Sequence, residues 1–352
     1  MKIDYLAKKN EHERDKYIEF DEGPHIYTVH GELGYTSVTT WNHHHFPVFD
    51  SNKIIDNMMM NSKKWNDKEK NAKYWNQTTD KPMTKEEIKT MWDKNRDEAA
   101  SAGTAMHYDI ECFYNNVLPN NTSIEYKYFE NFWKDFQEEH PYLVPYRTEW
   151  MVYYEELKLS GSIDMIYQDT RDPTGNTLVI YDWKRCKEIS HENSFSNAIT
   201  PVISHLPDTN FWHYSLQLNT YKKILEDKYG KKVTKLALVV LHPDNRNYQV
   251  HEVPILEKEL NDLFEVRRNE VQGRNEVQGR NEVQGRNEVH GRNEVHGRNE
   301  VQGRNEVQGR NEVQGRNEVQ GRNEVQGRNE VQGRNEVQGR NEVNEVNKPI
   351  KQ

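Results

Sequence analysis

Cysteine is nearly absent from this 352-residue chain. Cys112 and Cys186 are too few for a four-cysteine zinc or iron–sulfur site, and neither belongs to a Cys-x-x-Cys pair. A reducing compartment is the expectation. Long apolar runs are missing too: no stretch of 18 apolar residues occurs, and the opening MKIDYLAKKNEHERDKYIEF has neither the apolar core of a signal peptide nor the acid-poor character of a transit peptide. A soluble, intracellular protein with no membrane partner is expected. An excess of positive charge is lacking as well, since 48 Lys and Arg stand against 57 Asp and Glu. That excludes nonspecific coating of nucleic acid by bulk charge, although a local basic groove or bound cations could still accept a phosphate backbone.

What the chain has in abundance is one repeat. From Arg268 the unit Arg-Asn-Glu-Val-Gln-Gly recurs with a six-residue period, varied only by His290 and His296. Each unit carries a single apolar side chain, and its Gly opposes a helix while its Val makes no helical stripe. Glu270 four residues before Arg274 would favour a helix, so a fluctuating single helix is the alternative to solvated disorder. The acidity lies outside the repeats: residues 1–267 hold 33 Lys and Arg against 43 Asp and Glu, a net charge of about −10. Four parts result: an N-terminal hairpin and polar connecting region (1–81), a folded core (82–267), the low-complexity C-terminal repeat tail (268–347), expected to be disordered, and a short end (348–352).

Patterning predicts the elements. HIYTVHGELGYTSVTT (25–40) reads as a small hairpin around Gly31 and Gly34. The adjacent His43, His44 and His45 read as a surface loop, because neighbouring side chains diverge on any regular element. Thr84 with Glu87 is a capping box that opens one long helix through about Val117, with Gly103 the one place for a break. A second helix spans 122–139, with Ile124, Tyr128 and Phe132 on one face and Phe129, Trp133 and Phe136 beside it. Strands follow at 146–155, 157–168 and 177–185, then a loop with Pro201 and Pro207, a helix from Thr209 to a stop at Gly230, strands at 235–243 and 248–255, and a helix from Leu256 to Val266. The order predicts an α/β fold with one mixed central β-sheet flanked by helices.

The hairpin GSIDMIYQDTRDPTGNTLVIYDWKR (161–185) carries charges that its apolar alternation does not explain. Strand pairing brings Asp164 towards Asp182, and Lys184, two residues further on, shares the face of Asp182. Two carboxylates so placed can hold Mg2+, which takes oxygen ligands and keeps open positions for water and a phosphate oxygen. A lysine there can position or help deprotonate water, or offset charge developing on a phosphate. Ordinary edge charges joined by a cross-strand ion pair would read the same way, and both readings stay open at this point. The Trp183 side chain points into the core, but its carbonyl could serve as a further ligand.

In this hairpin and around it the chain resembles the PD-(D/E)XK nuclease superfamily, and within it the RecB-like exonucleases, over about residues 35–255. The marks run in the family's order: GTAMH (103–107), Glu149 in RTEWMVYY, GSID (161–164), DWK (182–184) and QLNTY (217–221). YTSVTT (35–40) is similar to an element of the mitochondrial genome maintenance exonuclease branch. The resemblance implies a restriction-endonuclease-like core and a Mg2+- or Mn2+-dependent deoxyribonuclease acting on single-stranded DNA or free ends. It implies His107, Asp164 and Asp182 as metal ligands, Asp164, Asp182 and Lys184 as the catalytic group, and Gln217 and Tyr221 beside the DNA. Glu149 is either a ligand or a partner of the lysine. Gln217 and Tyr221 share a helix face at i and i+4. The first acidic motif is Ser-Ile-Asp in place of Pro-Asp, and two cysteines exclude the iron–sulfur cluster of some relatives. Trp41, Trp212 and Tyr221 are candidates to stack on unpaired bases. Competing readings are a catalytically silent nucleic-acid-binding protein and an interaction protein working through the repeats.

Overall fold

In the computed structural model, residues 3–119 and 121–274 are described, with side chains through Val271. The compact unit Met1–Phe264 holds the whole core discussed here, and a second unit begins at Glu265. Along the chain come α1 (Tyr5–Lys9), the hairpin β1 (Ile18–Asp21) and β2 (Ile26–Val29), β3 (Thr36–Ser37), α2 (Val38–His43) and α3 (Ser51–Asn61). The small ribbon β4 (Trp75–Asn76) and β5 (Lys81–Pro82) precedes α4 (Lys85–Tyr114) and α5 (Ile124–Glu139). Then follow β6 (Leu143–Tyr154), β7 (Leu159–Asp169), β8 (Thr177–Lys184), α6 (Asn210–Lys228), β9 (Lys232–Val240), β10 (Gln249–Val253) and α7 (Glu257–Arg274).

The chain is a mixed α/β fold with a central sheet flanked by helices. Six strands make that sheet: β10, β9, β8, β7 and β3 in order, with β6 also on β7. β8 and β9 are parallel because α6 carries the chain back between them, while β6, β7 and β8 form an antiparallel meander. The pairing of β7 positions the site. β6 accompanies β7 from end to end, but on its other side β8 pairs only Met165–Gln168 and β3 only Leu159 and Ser160. Gly161–Asp164 lies in the gap between them.

Period-two alternation sends β8 and β9 side chains to two cores. Leu178, Ile180, Leu236 and Leu238 join the core under α2 and α6, while Val179, Tyr181, Trp183 and Val239 join the one under α4 and α5. By the same alternation Asp182 and Lys184 fall on the α6 side. A third, small cluster of Ile55, Trp65 and Ile88 ties α3 to the start of α4.

Several sequence expectations shift. Thr84 and Glu87 form the capping box, and α4 runs its 30 residues unbroken through Gly103. The first hairpin begins earlier than expected, at Ile18, which frees Thr36 and Ser37 to pair in parallel with β7 and Ser37 to cap α2. The polar stretch up to residue 81 contains α3 and β4, which pairs with β5 at its end. In α5 the buried face is Tyr126, Phe129, Phe132 and Phe136, whereas Ile124 is exposed. Aromatics surround this helix, and contact with the sheet selects which stripe is covered. His45 is buried against Thr200 at 2.9 Å, so the histidine run is not wholly a surface loop. α7 extends past Val266 to Arg274 through the first repeat, Gly273 included, with Arg267 paired to Glu270 at 3.2 Å. The expectation of disorder for 275–352 lies outside the described residues.

Candidate active site

β7 and β8 separate beyond the Met165–Tyr181 pair, and backbone groups past that point need other partners. Asp164 supplies one: its carboxylate accepts the Trp183 N–H at 3.0 Å. His107 supplies the other, with Nε2 3.0 Å from the Trp183 carbonyl. A carbonyl only accepts, so Nε2 carries the hydrogen and donates. The backbone of one residue at the end of β8, through its N–H and its C=O, thus orients both the histidine from α4 and the aspartate from β7. The Trp183 side chain is buried under α5, as its alternation requires.

With Nε2 committed, Nδ1 of His107 faces Asp164 Oδ2 at 3.6 Å and Glu149 Oε1 at 3.7 Å. Glu149 reaches that position at a conformational cost. Its φ is +43°, in the left-handed region, and the β6–β7 ladder pairs Thr148 and Trp150 but steps over the residue between them. Left-handed backbone at a non-glycine costs about 1–3 kcal/mol and persists where surroundings fix it. Here the Ser162 hydroxyl donates to the Glu149 carboxylate at 2.9 Å. His107, Glu149 and Asp164 each offer one donor atom, all within 4.8 Å of one another. No other group of this kind occurs among the described residues.

Asp182 is not in that group. It is buried, with Oδ2 2.5 Å from Lys184 Nζ, and the ammonium lies 4.8 Å over the Tyr214 ring of α6. Burial raises the Asp182 carboxyl, and Asp164 pushes it the same way, to about 7. Burial likewise raises Asp164, against the pull of His107 and Lys184. For His107, burial favours the neutral ring, but Asp164 and Glu149 outweigh it and bring the imidazole up to about 9. Lys184 is raised despite burial, because Asp182 and Asp164 hold its charge. It is an ammonium here, not a base.

On the other side of the gap, a Cβ at Gly161 would meet the Tyr221 hydroxyl at 2.7 Å. Only glycine lets α6 approach β7 so closely. Gln217 lies one turn before Tyr221 on α6, and Tyr221 is 3% exposed, so it forms the wall behind the acidic pair. Stacking of bases on Tyr221 or Trp41 is therefore corrected. Trp41 is 2% exposed and packs against His45 and Phe264. Trp212 is part-buried and donates to the His191 carbonyl at 3.1 Å.

Two site residues escaped the sequence reading. Glu111 lies one turn after His107 on α4, and burial, then Glu149, raises its carboxyl to about 7. Tyr214 precedes Gln217 by three and Tyr221 by seven on α6. Both could have been found by extending the helical spacing of i+4 and i+7 from residues already suspected.

No family model matches the chain, and no curated protein matches it. Among solved structures, a crystal structure from Eubacterium rectale, of a protein given a provisional exonuclease name, matches at a TM-score of 0.29 and 9% identity. The match spans 68% of this chain and 79% of that one. So loose a superposition adds nothing to the site, which stands on its own geometry.

Proposed function

We propose that this chain is a Mg2+- or Mn2+-dependent deoxyribonuclease of the RecB-like exonuclease type, acting on DNA ends or single strands in replication, recombination or repair. The observation that carries the reading is convergence at the splayed ends of β7 and β8. A cation-sized set of donors, His107, Glu149 and Asp164, meets a buried Asp182–Lys184 pair there. Electrostatics point the same way. Four carboxyl groups, Glu111, Glu149, Asp164 and Asp182, crowd around Lys184 and His107, and burial and mutual repulsion raise Glu111 and Asp182, a strain that a bound cation would relieve.

The donors fit such an ion: carboxylate oxygens suit Mg2+ and Mn2+, and an imidazole nitrogen suits a transition metal. When bound, it supplies Lewis-acid polarisation of a phosphoryl oxygen and a water of lowered pKa. The chain's own residues do the rest. Trp183 fixes the tautomer of His107 so that Nδ1 faces the donors, and it fixes Asp164 through its N–H. Ser162 holds Glu149. Lys184, lodged between Asp182 and Tyr214, offers its ammonium to the charge that develops as the 3′ oxygen leaves.

End-labelled single- and double-stranded DNA, linear and circular, incubated with each cation and with wild type or Asp164→Asn, tests the reading. Digestion of linear substrates by wild type alone, with circles left intact, is expected. If wild type digests none of them with either cation, the assignment fails. A silent nucleic-acid binder is less well supported, because none of Asp164, Asp182, Lys184 and His107 has been lost.

A further inference from the structure

The loop between Lys184 and α6 carries an aromatic ring that the chemistry above does not use. Phe195 is 99% exposed, yet its backbone is held. The Asn193 side-chain oxygen accepts from the amides of Phe195 and Ser196 at 2.9 and 3.2 Å, and its nitrogen donates to the Asp208 carbonyl at 2.8 Å. A ring kept in water on a fixed pedestal forgoes burial that would favour folding. Beside it opens a pocket of about 500 Å³, lined by Glu188, Glu192, Asn193, Phe195, Asp208 and Asn210 among others.

Two hydrogen bonds place this pocket next to the site. The Ser190 amide donates to the Asn210 side chain at 2.9 Å, and Asn210 donates to the Glu188 carbonyl at 2.8 Å. Asn210 is the first residue of α6, and Tyr214, whose ring underlies Lys184, follows one turn on. One turn is about 6 Å along the axis. The pocket is within reach of a nucleotide neighbouring the one at Lys184.

Its lining selects the part of that nucleotide. Asp208 is engaged by His213 at 2.8 Å and Ser196 at 3.0 Å, whereas Glu188 and Glu192 are exposed and have no ion pair among the described residues. Carboxylates repel a phosphate and accept from amino groups. An aromatic face stacks on any base. Residues 192–197 are otherwise Ser, Asn and Glu, and with Ile199 as the one further exposed hydrophobic of this loop the apolar area is too small for a protein interface. We infer that this pocket is a subsite for one unpaired base beside the scissile phosphate, stacked on Phe195 with its exocyclic amino group on Glu188 or Glu192. The inference rests on the nuclease reading.

The test uses the full chain, a fluorescein-labelled single-stranded oligonucleotide, and calcium in place of magnesium so that binding is read without cleavage. Phe195→Ala should raise Kd, and KM in magnesium, about tenfold or more, with kcat at saturation unchanged and Phe195→Trp restoring affinity. Wild type should favour oligo(dA) or oligo(dC) over oligo(dT), and Glu188→Ala/Glu192→Ala should lose that preference. Wild-type Kd and KM in Phe195→Ala would overturn the subsite and leave the nuclease reading intact. Binding that depends on Phe195 without any cleavage by wild type would keep the subsite and overturn the nuclease. If wild type binds no oligonucleotide, both fall.

Discussion

Glu149 holds a backbone conformation against its own preference, and that conformation separates two properties that usually move together. A glycine at φ +43° pays little steric penalty. Glu149→Gly should therefore unfold at a urea midpoint equal to or above wild type, by up to about 1 kcal/mol, while Mn2+ affinity measured by calorimetry falls. A lower midpoint with unchanged affinity would mean that the carboxylate braces β6 and does not hold a cation. Lys184→Ala separates differently. Removing the ammonium from between Asp182 and Tyr214 should reduce cleavage by about 100-fold or more, with oligonucleotide binding in calcium largely kept. Full cleavage in that variant would remove lysine from the mechanism. Asp164, Asp182 and Lys184 were legible in the sequence because charge breaks an alternating strand pattern at those positions. For Glu149 the resemblance left two roles open, ligand or partner of the lysine, since the choice depends on a backbone angle that no residue type announces.

Elements add constraints that no single residue carries. β7 and α6 meet through Gly161 and the Tyr221 ring, where a methyl group would lie 2.7 Å from the hydroxyl and 2.9 Å from a ring carbon. Gly161→Ala should cost about 1–3 kcal/mol in urea denaturation, and adding Tyr221→Phe should recover part of that loss. A neutral Gly161→Ala would show that the helix has room to move. The turn joining β7 to β8 is organised by Asp172, whose carboxylate accepts the amides of Thr174 and Thr177, each at 2.9 Å, and both threonine hydroxyls. The hydrogen bond from the Thr177 hydroxyl, then those from Thr174, hold its pKa well below the usual carboxylate value. The stabilisation is therefore complete above the unfolded value, about pH 3.9, and disappears as pH falls through the lower folded value. Melting curves of wild type and Asp172→Asn should differ at neutral pH and converge in acid. A gap that widens in acid would contradict the sign. The hairpin was legible from its Asp-Pro-Thr-Gly-Asn turn, and α4 from its capping box, because both signals are local.

At the scale of the molecule, an acidic body is expected to gather four carboxyl groups around one site only if something compensates them. A divalent cation that binds the folded state alone stabilises it by RT ln(1 + [L]/Kd), about 2.7 kcal/mol at a hundred times Kd. Mn2+ should raise the melting temperature of wild type, EDTA should reverse the rise, and a His107→Ala/Asp164→Asn variant should not respond. An equal rise in that variant would place the ion elsewhere. Among the described residues no helix is long and apolar enough to cross a membrane. The N-terminal stretch shows where sequence patterning stopped: Thr36 and Ser37 read as part of a hairpin, yet they pair with β7 more than a hundred residues away. Trp41 likewise read as a candidate for an exposed platform and is in the core.

By itself the sequence determined the alternation that puts Asp182 and Lys184 on one face, the helix that carries His107, and the turn that pairs β7 with β8. Each is a short-range consequence of backbone period and turn chemistry. Only the tertiary structure decided that β7 has no partner on its β8 side at Gly161–Asp164, that the backbone of Trp183 orients both His107 and Asp164, and that Glu149 rather than Asp182 completes the donor group. Those outcomes depend on where strands distant in sequence stop pairing and on which buried charges must find partners, and no local pattern encodes either.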